Sequence, residues 1–437
     1  MVLVAEPSWN VIRIVGCCIA TAHMNRHYKW AVVGMLWFVC FFNYADRQAI
    51  ASVFPKLKGE FGFTPVQLGL IGSAFMWLYA AGGPVAGFLA DRLSRKHLIL
   101  GGCLFWSGIT VMTAWCAQLW QFVSVRALEG LGESCYFPAT MSLIGDYHDE
   151  GTRSRAFSFH QSSVYIGTIA GSWAGAWFAE RHGWRTGFYF FGCAGVGVAL
   201  VLYRFLREPP RGLAGDTPPG VDEVVRVIFR KPTVLLLMAA FLGANFVATI
   251  FLTWTPTFLV EKFGFRLTTA GLSGGVFIHL ASALSVPVGG VLADRLARHI
   301  AGGRMLVQAA GLIVGATFVG LVGLTSSVHI LLAAMALFGL CKGLYDANIF
   351  ASLFDVIEPR ARATAAGVMN TVGWGGGALG PLAVGVATQY GRHERPIDNM
   401  SEAIAFGAII YVISAALLVL AAVGVTQRIV VEVPETI

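Results

Sequence analysis

The sequence predicts an all-α membrane protein, with twelve transmembrane helices in two six-helix parallel repeats. The first observation is composition, because 56% of the 437 residues are apolar and only 13% are charged. A soluble globular protein carries about 25% charged residues. So few charges cannot cover a water-facing surface, and most of the exterior must therefore face lipid. Lipid offers no partner for a free backbone N–H or C=O, which restricts spanning structures to helices or a closed barrel.

The second observation is the length of the apolar stretches. They run for about twenty residues or more without strict alternation, which is typical of membrane helices and not of lipid-facing strands of roughly ten residues. The predicted helices cover residues 29–52, 66–90, 97–117, 119–143, 156–180, 184–206, 234–260, 269–293, 304–324, 327–353, 363–390 and 402–425.

The third observation is internal repetition. PVAGFLADRLSRK at 84–96 recurs as PVGGVLADRLARH at 287–299, which is 203 residues later. ALEGL at 127–131 recurs as ALFGL 209 residues later, and RSRA at 153–156 recurs as RARA 207 residues later. Three matches in one order at nearly one offset predict two halves of the same orientation, with a substrate site between them near the middle of the membrane.

The predicted six-helix halves are residues 29–206 and 234–426. A polar, Pro-rich linker at 207–233 joins them, a short segment at 1–28 precedes them and a tail at 427–437 follows. The apolar run near the N-terminus, at 11–22, is too short to span and lacks the basic flank of a signal peptide. Met24 begins a more ordinary lead-in and is an alternative start.

Lys and Arg residues divide between alternating loops. Of the 31, 20 lie on the side that holds both termini and the central linker, 8 lie on the other side, and Arg47, Arg126 and Lys342 lie inside helices. The positive-inside rule then predicts that both termini are cytoplasmic in a multi-pass protein of the cell (inner) membrane. Because the basic loops serve orientation, the net charge of +7 does not indicate a nucleic-acid partner.

Ionisable residues inside the predicted helices are functional candidates, because each costs about 2.5–3.5 kcal/mol to insert. Three helices hold such residues, and we expect them to face a shared central cavity. At 100° per residue, the three ionisable residues of the fourth helix fall on one stripe of that helix. The two ionisable residues of the tenth helix are one turn apart and can pair. The ionisable candidates are Asp46 and Arg47 on the first helix, Arg126, Glu129 and Glu133 on the fourth, and Lys342 and Asp346 on the tenth, and the polar Asn43 is a further candidate on the first helix.

The loop GFLADRLSRK at 87–96 resembles the signature loop of the major facilitator superfamily, which lies between helices 2 and 3. The resemblance implies the major facilitator fold. An acidic and basic cluster at helix ends can cap a helix dipole and form ion pairs in only one of two states. We therefore expect gating ion pairs from Asp91, Arg92 and Arg95 and from their copies, Asp294 and Arg295.

A closer resemblance is to the anion:cation symporter family. It rests on NYADR at 43–47, RALEGLGE at 126–133 followed by FP, GWR at 183–185 and TWTPTFLVE at 253–261. The resemblance implies that Asp46 and Glu133 are proton-coupling carboxylates and that Arg47 and Arg126 hold a substrate anion. We expect Asn43, Tyr44 and Gln161 to complete the substrate site. Glu129 then neutralises Arg126, and Lys342 with Asp346 forms a structural or gating ion pair.

These features predict a secondary active transporter that takes up a small organic anion, such as a sugar acid or an aromatic or other carboxylic acid, together with protons. The alternative is a spinster-type exporter of lysolipids or other amphiphiles, because that group shares Asp-Arg on helix 1 and a Gly-x-Gly-Glu-like stretch on helix 4. We find no nucleophile–base constellation and no cofactor or metal motif, so we expect neither an enzyme nor a cofactor. We expect a monomer.

Overall fold

The computed structural model describes residues 26–148, 150–208, 228, 230–358 and 362–432. The predicted N-terminal segment up to residue 25, with Met24, and most of the predicted linker lie outside these residues. The described chain is helical, with short connections and no strand.

Twelve helical rods follow one another in the described residues, at the predicted positions. Seven stretches are long and apolar enough to cross a bilayer by length and composition: Pro65–Gly87, Trp184–Phe205, Pro232–Phe263, Leu267–Ala297, Gly303–Leu324, Val328–Val356 and Pro396–Val425. The rods are α1 (Arg26–Ser52, continued as Phe54–Phe61), α2 (Pro65–Arg92), α3 (Arg95–Thr113), α4 (Leu119–Ser134 and Tyr136–Tyr147), α5 (Glu150–Arg181), α6 (Trp184–Phe205), α7 (Pro232–Phe263), α8 (Leu267–Gly275, a π-helical turn Val276–Leu280, and Ala281–Ala297), α9 (Gly303–Leu324), α10 (Val328–Asp346 and Ile349–Val356), α11 (Arg362–Gly377 and Leu379–Tyr390) and α12 (Pro396–Glu432).

Proline explains the interruption of α11. Pro381 has no N–H, so the carbonyl of Gly377, four residues earlier, loses its helical donor. The hydroxyl of Thr249 on α7 donates to that carbonyl instead, at 2.5 Å. The indole N–H of Trp254 donates to the carbonyl of Pro381 at 3.0 Å. A carbonyl without a donor would be costly in lipid, and the neighbouring helix α7 supplies the missing donor.

The helix packing repeats between the two halves. In the first half, α1 packs against α5, α2 against α4 and α3 against α6; in the second half, α7 packs against α11, α8 against α10 and α9 against α12. The connection after the first rod of each half begins at a glycine with left-handed backbone, Gly62 at φ 66° and Gly264 at φ 67°, a conformation that costs glycine little. The predicted repeat of two parallel bundles is confirmed.

The halves meet along two helix pairs, α2 with α11 and α5 with α8. Several polar contacts between the halves, one of them between α1 and α7, lie at one end of the molecule. This end carries the α1–α2, α5–α6, α7–α8 and α11–α12 connections, and we call it the closed end. Lys58 Nζ lies 2.7 Å from Glu261 Oε1. Arg266 Nη2 lies 2.8 Å from Glu180 Oε1. The backbone N–H of Val66 donates to Gln389 at 3.3 Å.

Candidate functional site: the cavity between the two halves

A cavity of about 500 Å³ lies between the halves, within the size range of small-molecule sites. The first half contributes residues of α1, α2, α4 and α5, and the second half contributes α7, α8, α10 and α11. Most of the lining is aromatic or aliphatic. The polar and charged residues of the lining include Tyr44, Arg47, Gln48, Arg126, Gln161, Tyr165, Asn245, His279, Lys342, Asp346 and Asn370.

Arg47 is one of two arginines of the first half that line this cavity, the other being Arg126. Its side chain is 11% exposed. The guanidinium forms an ion pair with Glu133, with Nε donating to Oε2 at 3.0 Å. Nη2 donates to Asn43 Oδ1 at 3.3 Å. Nη1 is buried and has no hydrogen-bond partner among the described residues, so the guanidinium retains donor capacity for an anion.

Aromatic rings surround the Arg47 guanidinium. Its central carbon lies 4.5 Å from the ring centroids of Tyr44 and Phe75, 5.0 Å from that of Tyr79 and 5.7 Å from that of Trp374. Each ring face attracts a cation within about 6 Å. Trp374 comes from α11, in the opposite half, so this aromatic cage closes only when the two halves are together.

Three carboxylates lie behind Arg47. Oxygen atoms of Asp46, Glu129 and Glu133 all lie within 4.8 Å of one another, and all three residues are buried. Arg126 forms an ion pair with Glu129. This differs from the expectation that the acids face the cavity: only the two arginines of the cluster line it. The guanidinium of Arg47 pairs with Glu133, and none of the three acids lines the cavity, although Arg126 of the same α4 stripe does.

The buried cluster is unbalanced in charge and in hydrogen bonds. With every group ionised, three carboxylates face two guanidinium groups. The Thr110 hydroxyl donates to Asp46 Oδ2 at 3.3 Å, and the backbone N–H of Arg47 donates to Asp46 Oδ1 at 2.7 Å. Glu133 Oε1 is buried and accepts no hydrogen bond from the described residues. Because an uncompensated buried charge is costly, one proton or one small cation would complete this cluster.

The second half presents its own charged pair to the cavity. Lys342 and Asp346 on α10 form the predicted ion pair, with side chains 16% and 30% exposed. The ring of His279 on α8 lies 6.4 Å from the ring of Tyr165 on α5, across the interface of the halves. The cavity thus has a cationic side chain on each of two walls, Arg47 in the first half and Lys342 in the second.

The predicted gating clusters are only partly as expected. Arg95 forms an ion pair with Asp146, and the same pair recurs 209 residues later, where Arg304 Nη1 lies 2.5 Å from Asp355 Oδ1. Asp294 also pairs with Arg304, at 2.8 Å. Arg295 forms no ion pair with any residue that the structure describes, and its neighbour Asp294 pairs with Arg304 instead.

The side chain of Asp91, in the first copy of the motif, lies outside the described residues. That of Arg92 is exposed at the end of α2. Arg304 was missed from the sequence, although its position repeats that of Arg95 at the offset of 209 residues that relates ALEGL to ALFGL.

Among the expected substrate residues, Tyr44 and Gln161 line the cavity, whereas Asn43 is buried behind Arg47. The sequence did not single out Phe75, Tyr79 and Trp374, because apolar and aromatic residues are common in membrane helices and carry no signal of their own. Gln48 was also missed. Its amide donates to the carbonyl of Leu252 at 2.6 Å, joining α1 to α7 across the two halves.

Comparison with known proteins agrees with this architecture. The family model of the Major Facilitator Superfamily matches residues 36–381 and 279–429. The chain is 28% identical over 386 residues to the Arabidopsis thaliana protein "Sodium-dependent phosphate transport protein 1, chloroplastic", covering 83% of this chain and 74% of that one. It is 30% identical over 390 residues to "Probable anion transporter 1, chloroplastic" of Oryza sativa, covering 83% and 72%. "Protein spinster homolog 1" of Homo sapiens is 31% identical over 243 residues, covering 53% and 46%.

Solved structures show the same fold. A bacterial homologue of the human lysosomal transporter spinster, in an inward-facing and unoccupied conformation, superposes with a TM-score of 0.81 at 21% identity, covering 92% of this chain and 98% of that one. The nucleoside transporter NupG superposes with a TM-score of 0.69 at 13% identity, covering 89% and 98%. At these identities the likeness concerns the fold.

Proposed function

The chain belongs to the Major Facilitator Superfamily, and from this premise we propose that it takes up a small organic anion together with a proton, by alternating access of the cavity between its halves. The observation that carries the proposal is the position of Arg47. It lines the cavity, keeps one terminal nitrogen without a partner, and holds Glu133 of the buried acidic cluster behind it.

Competition for Arg47 supplies the coupling. A substrate carboxylate that enters the cavity can bind the guanidinium and weaken its ion pair with Glu133. A buried carboxylate without its partner is better accommodated as the neutral acid. The substrate thus favours proton binding, and thermodynamic linkage requires that the proton favours substrate binding to the same extent.

The cavity walls suit an anion with an apolar or ring-bearing part. Phe75, Phe251 and Phe338 line the cavity together with the cage around Arg47, and such walls bind apolar surface while a few polar groups fix orientation. Sugar acids, aromatic acids and other carboxylates are therefore the substrate classes of choice. The names of the plant relatives, which include phosphate, anion and ascorbate transporters, support an anion.

The positive-inside rule supports the orientation that we propose, with both termini in the cytoplasm of a cell whose inner membrane holds the protein. The closed end then faces away from the cytoplasm.

The test is uptake into proteoliposomes under an imposed proton or sodium gradient. Asp46→Asn and Glu133→Gln should abolish gradient-driven accumulation and retain exchange of substrate, because the cluster no longer gains and loses its proton. Asp398→Asn, which changes a partly exposed carboxylate that pairs with Arg395, is the matched control and should behave as the parent protein. Unchanged accumulation in both buried variants would exclude proton coupling through this cluster.

Arginine variants test the anion site in the same vesicles. Arg47→Gln and Arg126→Ala should raise the half-saturation concentration for carboxylates much more than for any neutral substrate. Charge-assisted hydrogen bonds to an anion contribute about 1.5–3 kcal/mol, or roughly 10- to 150-fold. Accumulation that follows sodium and ignores pH would identify a sodium-coupled carrier that uses the same three carboxylates.

A second candidate function is export of lysolipids, in line with the spinster relatives. The aromatic and aliphatic lining of the cavity favours it, since an acyl chain would bury against such walls. Lysolipid and organic acids are therefore screened side by side. Lysolipid movement that saturating concentrations of small carboxylates fail to inhibit would favour the exporter.

A further inference from the structure

A second cavity lies on the outer surface of the second half, away from the cavity between the halves. It is a groove of about 500 Å³ between α8, α9 and α10. Its wall is apolar except at one end, where the side chains of Arg295 and His299 lie. The apolar lining consists of Leu292, Leu296, Leu306, Val307, Ala310, Gly311, Val314, Cys341 and Leu344.

The groove opens towards the lipid. Leu292 is 48% exposed and Val314 is 51% exposed, in helices that are apolar and long enough to span the bilayer. The floor lies where α9 crosses α10 closely, because a Cβ atom added to Gly311 would meet the carbonyl oxygen of Cys341 at 3.0 Å. In a membrane this apolar surface must be covered by acyl chains.

Arg295 is the residue that the repeated motif predicted as a gating ion pair. Arg304 takes its neighbour Asp294 instead, and the exposed Arg295 side chain forms no ion pair with any residue that the structure describes. His299 is also exposed and lies one turn further along the chain. The backbone is still coiled there, because the N–H of His299 donates to the carbonyl of Leu296 at 3.1 Å. Arg295 lies two residues before the end of the apolar stretch Leu267–Ala297 and His299 two residues after it, so both side chains can extend to the lipid headgroups.

The combination of an apolar groove within the bilayer and a cationic mouth at its boundary is complementary to one class of molecule. An acyl chain covers the apolar wall, and a phosphate at headgroup depth meets a guanidinium that can donate two hydrogen bonds to it. Basic pockets between membrane helices on the cytoplasmic side bind anionic lipid headgroups in this manner. We propose that the groove between α8, α9 and α10 binds an anionic membrane phospholipid, with its phosphate at Arg295 and His299.

The bound lipid would contact the helix that serves the transport cavity. Cys341 and Leu344 line the groove, whereas Lys342 and Asp346 on the same helix line the cavity between the halves. At 100° per residue these two pairs lie on roughly opposite faces of α10. The lipid therefore supports the outer face of the helix that presents the second cationic wall.

The experiment measures lipid binding to the purified full chain in detergent, by native mass spectrometry and by thermal unfolding against lipid concentration. Phosphatidylglycerol should bind at least tenfold more tightly than phosphatidylcholine of the same chains. Arg295→Gln should weaken phosphatidylglycerol binding about fivefold, the effect of one basic residue of about 1 kcal/mol at a membrane surface. Arg298→Gln, which removes an exposed arginine of the same turn that does not line the groove, should change it less than twofold.

The apolar part is tested separately. Ala310→Trp should fill the groove and remove the bound lipid whatever its headgroup, whereas Ile313→Trp, at an exposed position of α9 outside the groove, should not. Equal binding of the two lipids, equal effects of Arg295→Gln and Arg298→Gln, or undiminished binding in Ala310→Trp would each overturn the proposal. Competition by inorganic phosphate as effective as that by phosphatidylglycerol would show a site for a free anion instead. If the tryptophan variant fails to fold, the two arginine variants decide.

Discussion

The closed end is built on close backbone contacts, and Gly271 offers the sharpest perturbation of them. This residue lies on α8 against α5 of the other half. A Cβ atom at position 271 would collide with the carbonyl oxygen of Ser172 and would lie 2.8 Å from the Cβ of Ala176. Backbone atoms cannot rotate away, so Gly271→Ala must push α8 from α5. Gly290→Ala, on the same helix, is the matched control because nothing lies within 4 Å of its added Cβ.

The expected magnitude follows from the cost of overpacking, about 1–3 kcal/mol. The cost falls on the state with the closed end sealed, and it disappears in a state where α5 and α8 have separated there. The ratio of the two states should therefore shift about 5- to 150-fold towards the separated state, at 1.4 kcal/mol per tenfold.

Hydrogen–deuterium exchange detected by mass spectrometry measures this change in the ratio of the two states. Peptides covering 169–176 and 267–275 should exchange faster in Gly271→Ala than in the parent protein, while Gly290→Ala should leave both unchanged. The same rate in Gly271→Ala and Gly290→Ala would refute the idea that this contact holds the closed end together.

Two further predictions concern ion pairs at the helix ends. Arg304→Gln should lower the free energy of unfolding by about 1 kcal/mol, because it removes the partly exposed ion pairs with Asp294 and Asp355, and such pairs contribute about 0.2–1 kcal/mol each. The measurement is the thermal midpoint in detergent, which should fall. An unchanged midpoint would contradict this prediction. Slight burial raises the pKa of Glu60, but hydrogen bonds from Arg185 and from a neighbouring indole outweigh that effect and hold the pKa below its usual value. Stability from this carboxylate is therefore present above the ordinary glutamate pKa near 4.3 and is lost as pH falls through the lower folded value. Glu60→Gln should consequently flatten the decline of the thermal midpoint between about pH 5 and pH 3, and an identical decline would rule out the contribution.

The general architecture was predictable because the membrane permits few solutions. Composition excluded a water-facing surface, the length of the apolar runs excluded lipid-facing strands, and the repeat at 203–209 residues predicted two parallel bundles. The placement of Arg126, Glu129 and Glu133 on one stripe was also correct, since helical periodicity alone decides it. The Lys342–Asp346 pair followed from the same one-turn spacing.

The sequence by itself therefore determined that the exterior faces lipid, where the helices lie, that the two halves are repeats and which charged residues lie inside helices. Each of these depends on composition or on patterns along the chain. Only the tertiary structure decided that Arg47 pairs with Glu133 86 positions away, that Trp374 of the other half covers the same guanidinium, and that Arg304 displaces Arg295 from Asp294. Those outcomes depend on the distance and rotation between packed helices, which result from side-chain shapes at many contacts and leave no pattern along a single chain.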